Sequence, residues 1–257
     1  MSRFLCCVMM IVIGAATTHA AADTATSQPA ARPAPASRSD VPRPARPGKQ
    51  PEASWTAAHE SFVAMAKKGG IDILFDGDSI TRGWNGAGVT VWQKYFADMK
   101  AANFGIGGER TQHVLWRLQN GELEGISPKV FVLMIGTNNA SAGDAPEDTA
   151  QGILAIINTV KAKCPTTKVL LLAIFPRGAD ANDPKRLINN KVNELIAKFD
   201  DGGKTVKFLD INSKLMQADG TIDKTVMADS VHLTRVGFQI EAEAILPAIK
   251  ELMQADK

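Results

Sequence analysis

From residue 54 onward the chain alternates short, unbroken apolar runs with longer stretches in which apolar positions recur every three or four residues. The runs fall at 71–75, 100–104, 130–135, 168–175 and 205–210, and the helical patterns at 54–68, 90–99, 111–121, 147–163, 184–199 and 236–253. In the first helical pattern, Trp55, His59, Phe62 and Ala66 share one face, and Gly69-Gly70 ends it. The runs Val130-Phe131-Val132-Leu133-Met134-Ile135 and Val169-Leu170-Leu171-Leu172-Ala173-Ile174-Phe175 have no polar alternation, which suits strands covered on both faces. Strand and helix in strict alternation predict an α/β domain: a three-layer α/β/α sandwich on a five-stranded parallel sheet, without internal repeats.

The first 53 residues do not share this pattern. Residues 1–22 combine Arg3, an apolar stretch from Phe4 to Ala16, and the small-residue tail Ala20-Ala21-Ala22, the layout of a secretory signal peptide. The stretch falls short of the roughly 20 apolar residues that a membrane span needs. Cys6 and Cys7 lie inside it rather than at its end, which argues against a lipoprotein anchor. Residues 23–53 are rich in Ala, Pro, Ser and Arg and read as a disordered, semi-stiff linker. The expectation is therefore a leader over 1–22, a linker over 23–53 and one domain over 54–257, exported to the periplasm or the medium, with no membrane span in the mature chain.

Charge narrows the partners. The chain has 29 Lys and Arg against 27 Asp and Glu; six of the basic and three of the acidic residues lie in 1–53, so the domain is close to neutral. A near-neutral domain lacks the basic footprint of a nucleic-acid binder. Beyond residue 22 only Cys164 remains, so no disulfide can form within the mature chain, and His59, His113 and His232 show no metal-ligand spacing.

The chemistry is concentrated at strand ends. Residues 73–75 run into Asp76-Gly77-Asp78-Ser79, and Asp229 and His232 stand three residues apart before the last helix. Serine is a weak nucleophile until an imidazole takes its proton and a carboxylate orients that imidazole. Gly105-Ile106-Gly107-Gly108 and Thr137-Asn138-Asn139 also follow predicted strands, where ligands gather in open parallel sheets. Gly108 can present a bare backbone amide, and Asn138 a side-chain amide, to an oxyanion. Each block has a plainer reading as well: Ser79 as a helix cap, the glycines as a tight turn, Asn138 as a turn residue, and His232 as an ordinary position at the start of a helix. Arg82 and Trp84 either grip a polar or sugar-like substrate or, for Trp84, close the edge of the core. Asp78 reads as pinning its loop, His59, His113, Trp92, Phe96 and Trp116 as packing, and Asp76 has no reading in a strand of this kind.

Taken in order, Gly77-Asp78-Ser79-Ile80, Asn103-Phe104-Gly105-Ile106-Gly107-Gly108, Gly136-Thr137-Asn138-Asn139 and Asp229-Ser230-Val231-His232 resemble the SGNH, or GDSL, hydrolases. Within that family the chain is similar to esterases like the catalytic subunits of platelet-activating-factor acetylhydrolase, through 103–118, Pro176-Arg177-Gly178 and 189–195. The resemblance implies a flavodoxin-like fold, Ser79 as nucleophile with Asp229 and His232, and an oxyanion hole from Ser79, Gly108 and Asn138. It further implies an acyl pocket lined by Ile80, Thr137 and Val231, no cofactor or metal, and a homodimer. The expected activity is hydrolysis of short, acetyl-sized esters of a small molecule or polysaccharide through an acyl-enzyme. The alternatives are a lysophospholipase or thioesterase acting on longer chains, or a non-catalytic glycan- or lipid-binding module.

Overall fold

The computed structural model describes residues 41–254; the leader expected over 1–22 and most of the linker lie outside the described residues. Five strands, β1 Ile73–Gly77, β2 Ala101–Asn103, β3 Val130–Met134, β4 Lys168–Leu172 and β5 Val206–Leu209, form one parallel sheet in the order β2-β1-β3-β4-β5. Helices α1 Ala53–Lys68, α2 Ser79–Arg82, α3 Val89–Tyr95, α4 Thr111–Arg117, α5 Thr137–Ser141, α6 Pro146–Lys163, α7 Pro184–Ile196, α8 Asn212–Leu215 and α9 Arg235–Gln254 connect and flank it. The three-layer α/β/α arrangement follows the periodicity. Among the described residues no helix is long and apolar enough to cross a membrane.

The alternation of side chains along each strand divides the core in two. Leu74, Phe131, Leu133, Val169 and Leu171 face one cluster with residues of α4, α6 and α7. Ile73, Phe75, Val130, Val132, Met134, Leu170 and Leu172 face the other, with α3 and α9. By the same alternation Asp76 follows Leu74 onto the α4 side, buried away from solvent.

β1 runs two residues beyond the expected end at Phe75, because Asp76 finds buried partners and need not terminate the strand. β4 stops three residues short of Phe175, since side chains replace the ladder there: Asn193 both donates to the Ile174 carbonyl and accepts from its amide, and Asn212 donates to the same carbonyl. The helical pattern at 111–121 becomes α4 followed by a wider turn over Leu118–Glu122, where Gly121 has φ 111°.

The C-terminal part of the expected linker is corrected by its contacts. Pro44 is buried, its carbonyl accepts from Thr111 Oγ1 at 2.8 Å, Arg43 pairs with Asp144, and the Gly48 amide donates to the Gln112 carbonyl at 3.0 Å. Composition reads these prolines as spacer. Their fixed φ instead lets Pro42 and Pro44 hold a short 3-10 turn, Arg43–Ala45, against α4 and α6 at little entropic cost. Residues 41–52 are thus a strap on the domain.

Candidate active site

The strand order reverses between β1 and β3, and polar residues collect beyond their carboxyl ends. Gly77 closes β1 at φ 157°, where a Cβ would stand 2.2 Å from the Met134 carbonyl oxygen and 2.4 Å from Thr81 Oγ1. Only glycine lets the chain turn so closely into α2. Asp78 then accepts the Ile80 amide at 2.9 Å and leaves Ser79 at the lip of the turn, half-buried.

Ser79 Oγ lies 2.9 Å from His232 Nε2, and His232 Nδ1 lies 2.6 Å from Asp229 Oδ2. Asp229 Oδ1 also accepts the backbone amides of Val231 at 3.0 Å and His232 at 2.7 Å. The loop is set by Ser230 at φ 60°, whose carbonyl accepts from Gly178, and by a bridge between Met227 and Leu233. Burial pushes the Asp229 carboxyl upward, but the His232 ring and the two amides together outweigh it and hold the pKa at about 2. An ionised carboxylate only accepts, so Nδ1 carries the proton and Nε2 is free to accept from Ser79. Asp78 differs: full burial drives it up to about 7, against the Ile80 amide, and its Oδ2 has no hydrogen-bond partner among the described residues.

The glycine segment after β2 is pressed onto this turn. Asn103 donates to the Thr81 carbonyl and accepts from the Gly105 amide, both at 2.9 Å. A Cβ on Gly105 would come within 2.4 Å of the Arg82 nitrogen. Gly108 ends the segment exposed, at φ 77°. Asn138, in the first turn of α5, donates one amide hydrogen to the Glu109 carbonyl at 2.9 Å, leaving its second for another acceptor. Asn139 is buried and pins the same region through the Thr111 amide and Asp144.

The expected pocket residues are placed less favourably. Trp84 is 1% exposed, in a ring cluster with Phe75, Trp92, Phe96 and Phe238, so the core-edge alternative holds and it cannot stack on a substrate. Ile80 and Thr137 are also buried, Thr137 with its hydroxyl held by Arg177 at 3.0 Å, while Val231 is half-buried. The open space lies elsewhere. One cavity of about 310 Å³ holds Ser79 with Arg82, Gly83, Asn85 and Gly86. A second of about 540 Å³ shares Arg82 and Asn85 and reaches Gly107, Gly108 and the strap residues Gln50 and Glu52. Sequence reasoning missed Asn85, which lines the cavity with Ser79, and the strap, which lines the neighbouring one, since nothing in their local pattern places them there.

Behind the turn lies a second polar assembly, which explains Asp76. Arg117 Nη2 donates to Asp76 Oδ1 and Glu109 Oε2 at 2.6 Å each, Nε to Glu109 Oε1 at 2.9 Å, and Nη1 to Glu122 at 2.6 Å. Trp55 Nε1 donates to Glu109 at 2.6 Å, His59 Nδ1 is 3.2 Å from Glu122, and Asp76 Oδ1 accepts the Gly77 amide at 2.8 Å. Burial raises Asp76 well above the carboxylate range despite Arg117, with Glu122 and Glu109 adding to the rise. For Arg117 burial acts downward, and the three carboxylates more than reverse it.

Comparison with known proteins agrees with this geometry. Residues 75–240 match the model of the GDSL-like lipase/acylhydrolase family. The chain is 38% identical over 208 residues to the platelet-activating factor acetylhydrolase IB subunit alpha1 of Bos taurus, covering 81% of this chain and 88% of that one. It is 38% identical over 200 residues to the alpha2 subunit of Rattus norvegicus, covering 78% and 85%. Among solved structures, a GDSL-like lipase from Bacteroides thetaiotaomicron superposes with TM-score 0.61 at 19% identity, covering 75% of this chain and 97% of the other. With strand order, turn and family model in agreement, the chain belongs to the GDSL-like lipase/acylhydrolase family and is an ester-bond hydrolase.

Proposed function

We propose that the protein is an exported serine esterase that removes short acyl groups, acetyl foremost, from esters of polar alcohols such as carbohydrates. The observation that carries this reading is the continuous relay from Ser79 through His232 to Asp229, open to solvent at the sheet edge. Ser79 Oγ attacks the ester carbonyl as its proton passes to His232 Nε2. The developing oxyanion is held by the Ser79 and Gly108 amides and the free amide hydrogen of Asn138. His232 returns the proton to the departing alcohol, and water, activated by the same imidazole, then releases the acid from the acyl-serine. Asp229, ionised above about pH 2, orients the ring and stabilises its charged form.

Two further observations favour a short acyl group. The cavity at Ser79 is bordered by Arg82, Gly83, Asn85 and Gly86, which offer no large apolar surface to a long chain. The relatives at 38% identity are named for an acetylhydrolase. Export rests on the leader pattern over 1–22 and pairing of two copies on the likeness to proteins named as subunits. Hydrolysis of p-nitrophenyl esters of increasing chain length, beside Ser79→Ala, tests the reading: activity concentrated on acetate and lost in the variant is the expected result. A preference for long chains shifts the reading to lipid or thioester substrates, and no Ser79-dependent turnover overturns it.

A further inference from the structure

The second cavity lies within reach of Ser79, yet the acyl-transfer steps above use none of its polar side chains. At about 540 Å³ it falls within the roughly 300–1,000 Å³ range of small-molecule sites. Its rim carries one guanidinium, one carboxylate, two amides and a hydroxyl: Arg82, Glu52, Gln50, Asn85 and Ser54. The side chains of Arg82, Asn85 and Glu52 make no hydrogen bond or ion pair among the described residues. Arg82 also lines the cavity at Ser79, and its Nη1 would stand 3.3 Å from a Cβ on Gly107. The two spaces share Arg82 and Asn85, so the second cavity is a groove that borders the one at Ser79.

The strap that supplies Gln50 and Glu52 is fixed to the domain along its length. Gln50 Nε2 lies 3.1 Å from His113 Nδ1, Lys49 Nζ sits 5.7 Å from the centre of the Trp116 ring, and the Pro44 carbonyl is held by Thr111. A Cβ on Gly152 would come within 2.5 Å of the Pro44 oxygen, so α6 is shaped to admit the strap. We propose that this groove is the leaving-group subsite, and that its occupant is a neutral saccharide whose hydroxyls meet Arg82, Asn85, Gln50 and Glu52. One positive and one negative side chain, with amides and a hydroxyl between them, match the donor and acceptor pairs of a polyol. A phosphate would meet Glu52 at the same rim, which opposes it. The inference rests on the acyl-enzyme reading of Ser79 and deepens it by assigning the residues that would hold the polar alcohol.

Two measurements on the full chain test it. The first is the ratio of kcat/KM for an acetylated methyl β-xyloside to that for p-nitrophenyl acetate, in Glu52→Ala, whose side chain borders the second cavity and not the one at Ser79. The ratio should fall about tenfold to a hundredfold, through KM, because hydrogen bonds to charged groups are lost on the sugar side alone. An unchanged ratio overturns the proposal. The second is calorimetric binding of xylobiose to Ser79→Ala, which needs no turnover and so separates failure of the subsite from failure of the esterase reading. Binding that disappears in Ser79→Ala/Arg82→Ala supports the subsite. No binding of xylobiose, or binding of glycerophosphocholine in its place, overturns it.

Discussion

Two sets of charged groups flank the end of β1, three residues apart in the chain and opposite in design. On the outer side, the side chains of His232 and Asp229 are 48% and 57% exposed, tied to Ser79 by single hydrogen bonds on a loop. On the inner side, Arg117, Asp76, Glu109 and Glu122 are each 0% exposed, and the guanidinium is bonded at all three of its nitrogens. The outer set stands clear of the packed core. The inner set is part of it: an arginine so enclosed stays charged, and its carboxylates lose their partner if it leaves. Glu109 extends the inner set toward the site, because it holds Arg117 with its side chain and Asn138 with its carbonyl. In the proposed mechanism, reactivity is placed at the surface and its alignment is fixed from behind.

The contrast can be broken most severely from the inner side. Arg117→Met leaves three acids buried around an apolar side chain and should cost about 3–5 kcal/mol in denaturant unfolding, with Arg117→Lys only partly restoring it. Equal stability of the three proteins would show that the inner set carries little. Asn138→Ala, at the junction, should lower kcat about 100- to 1,000-fold with little change in KM; a KM effect alone would assign it to substrate binding. The smallest effect concerns a buried acid outside both sets. Full burial lifts Glu241 to about 8, with Trp84 opposing, and leaves Oε2 without a hydrogen-bond partner among the described residues. A raised carboxyl gives stability that is complete below its ordinary value of 4.5 and is lost as pH rises through about 8. Glu241→Gln should therefore raise the melting temperature more at pH 8 than at pH 4.5. A pH-independent difference would contradict the shift.

Much of this is legible before any coordinates. Unbroken apolar runs set the sheet, and the spacing of Ser79, Asp229 and His232 singles out three side chains that the fold brings within hydrogen-bond distance of one another. The places that escape the sequence have a common cause, which is dependence on partners distant in the chain. Asp76 looks misplaced in its strand until Arg117, 41 residues later, comes beneath it. Trp84 follows Ser79 in sequence, yet the turn after α2 carries its ring down to Phe238, 4.5 Å away. The strap at 41–52 has a linker's composition, and partners distant in the chain, Thr111, Gln112, His113 and Asp144 among them, hold it against the domain.

The central claim is that Ser79 is a nucleophile activated by His232. Reaction of the full chain with a fluorophosphonate, followed by intact mass and peptide mapping, tests it directly. The account predicts one adduct per chain, on Ser79, absent in Ser79→Ala and formed far more slowly in His232→Ala. No adduct on the native protein, or one that persists in Ser79→Ala, would contradict it.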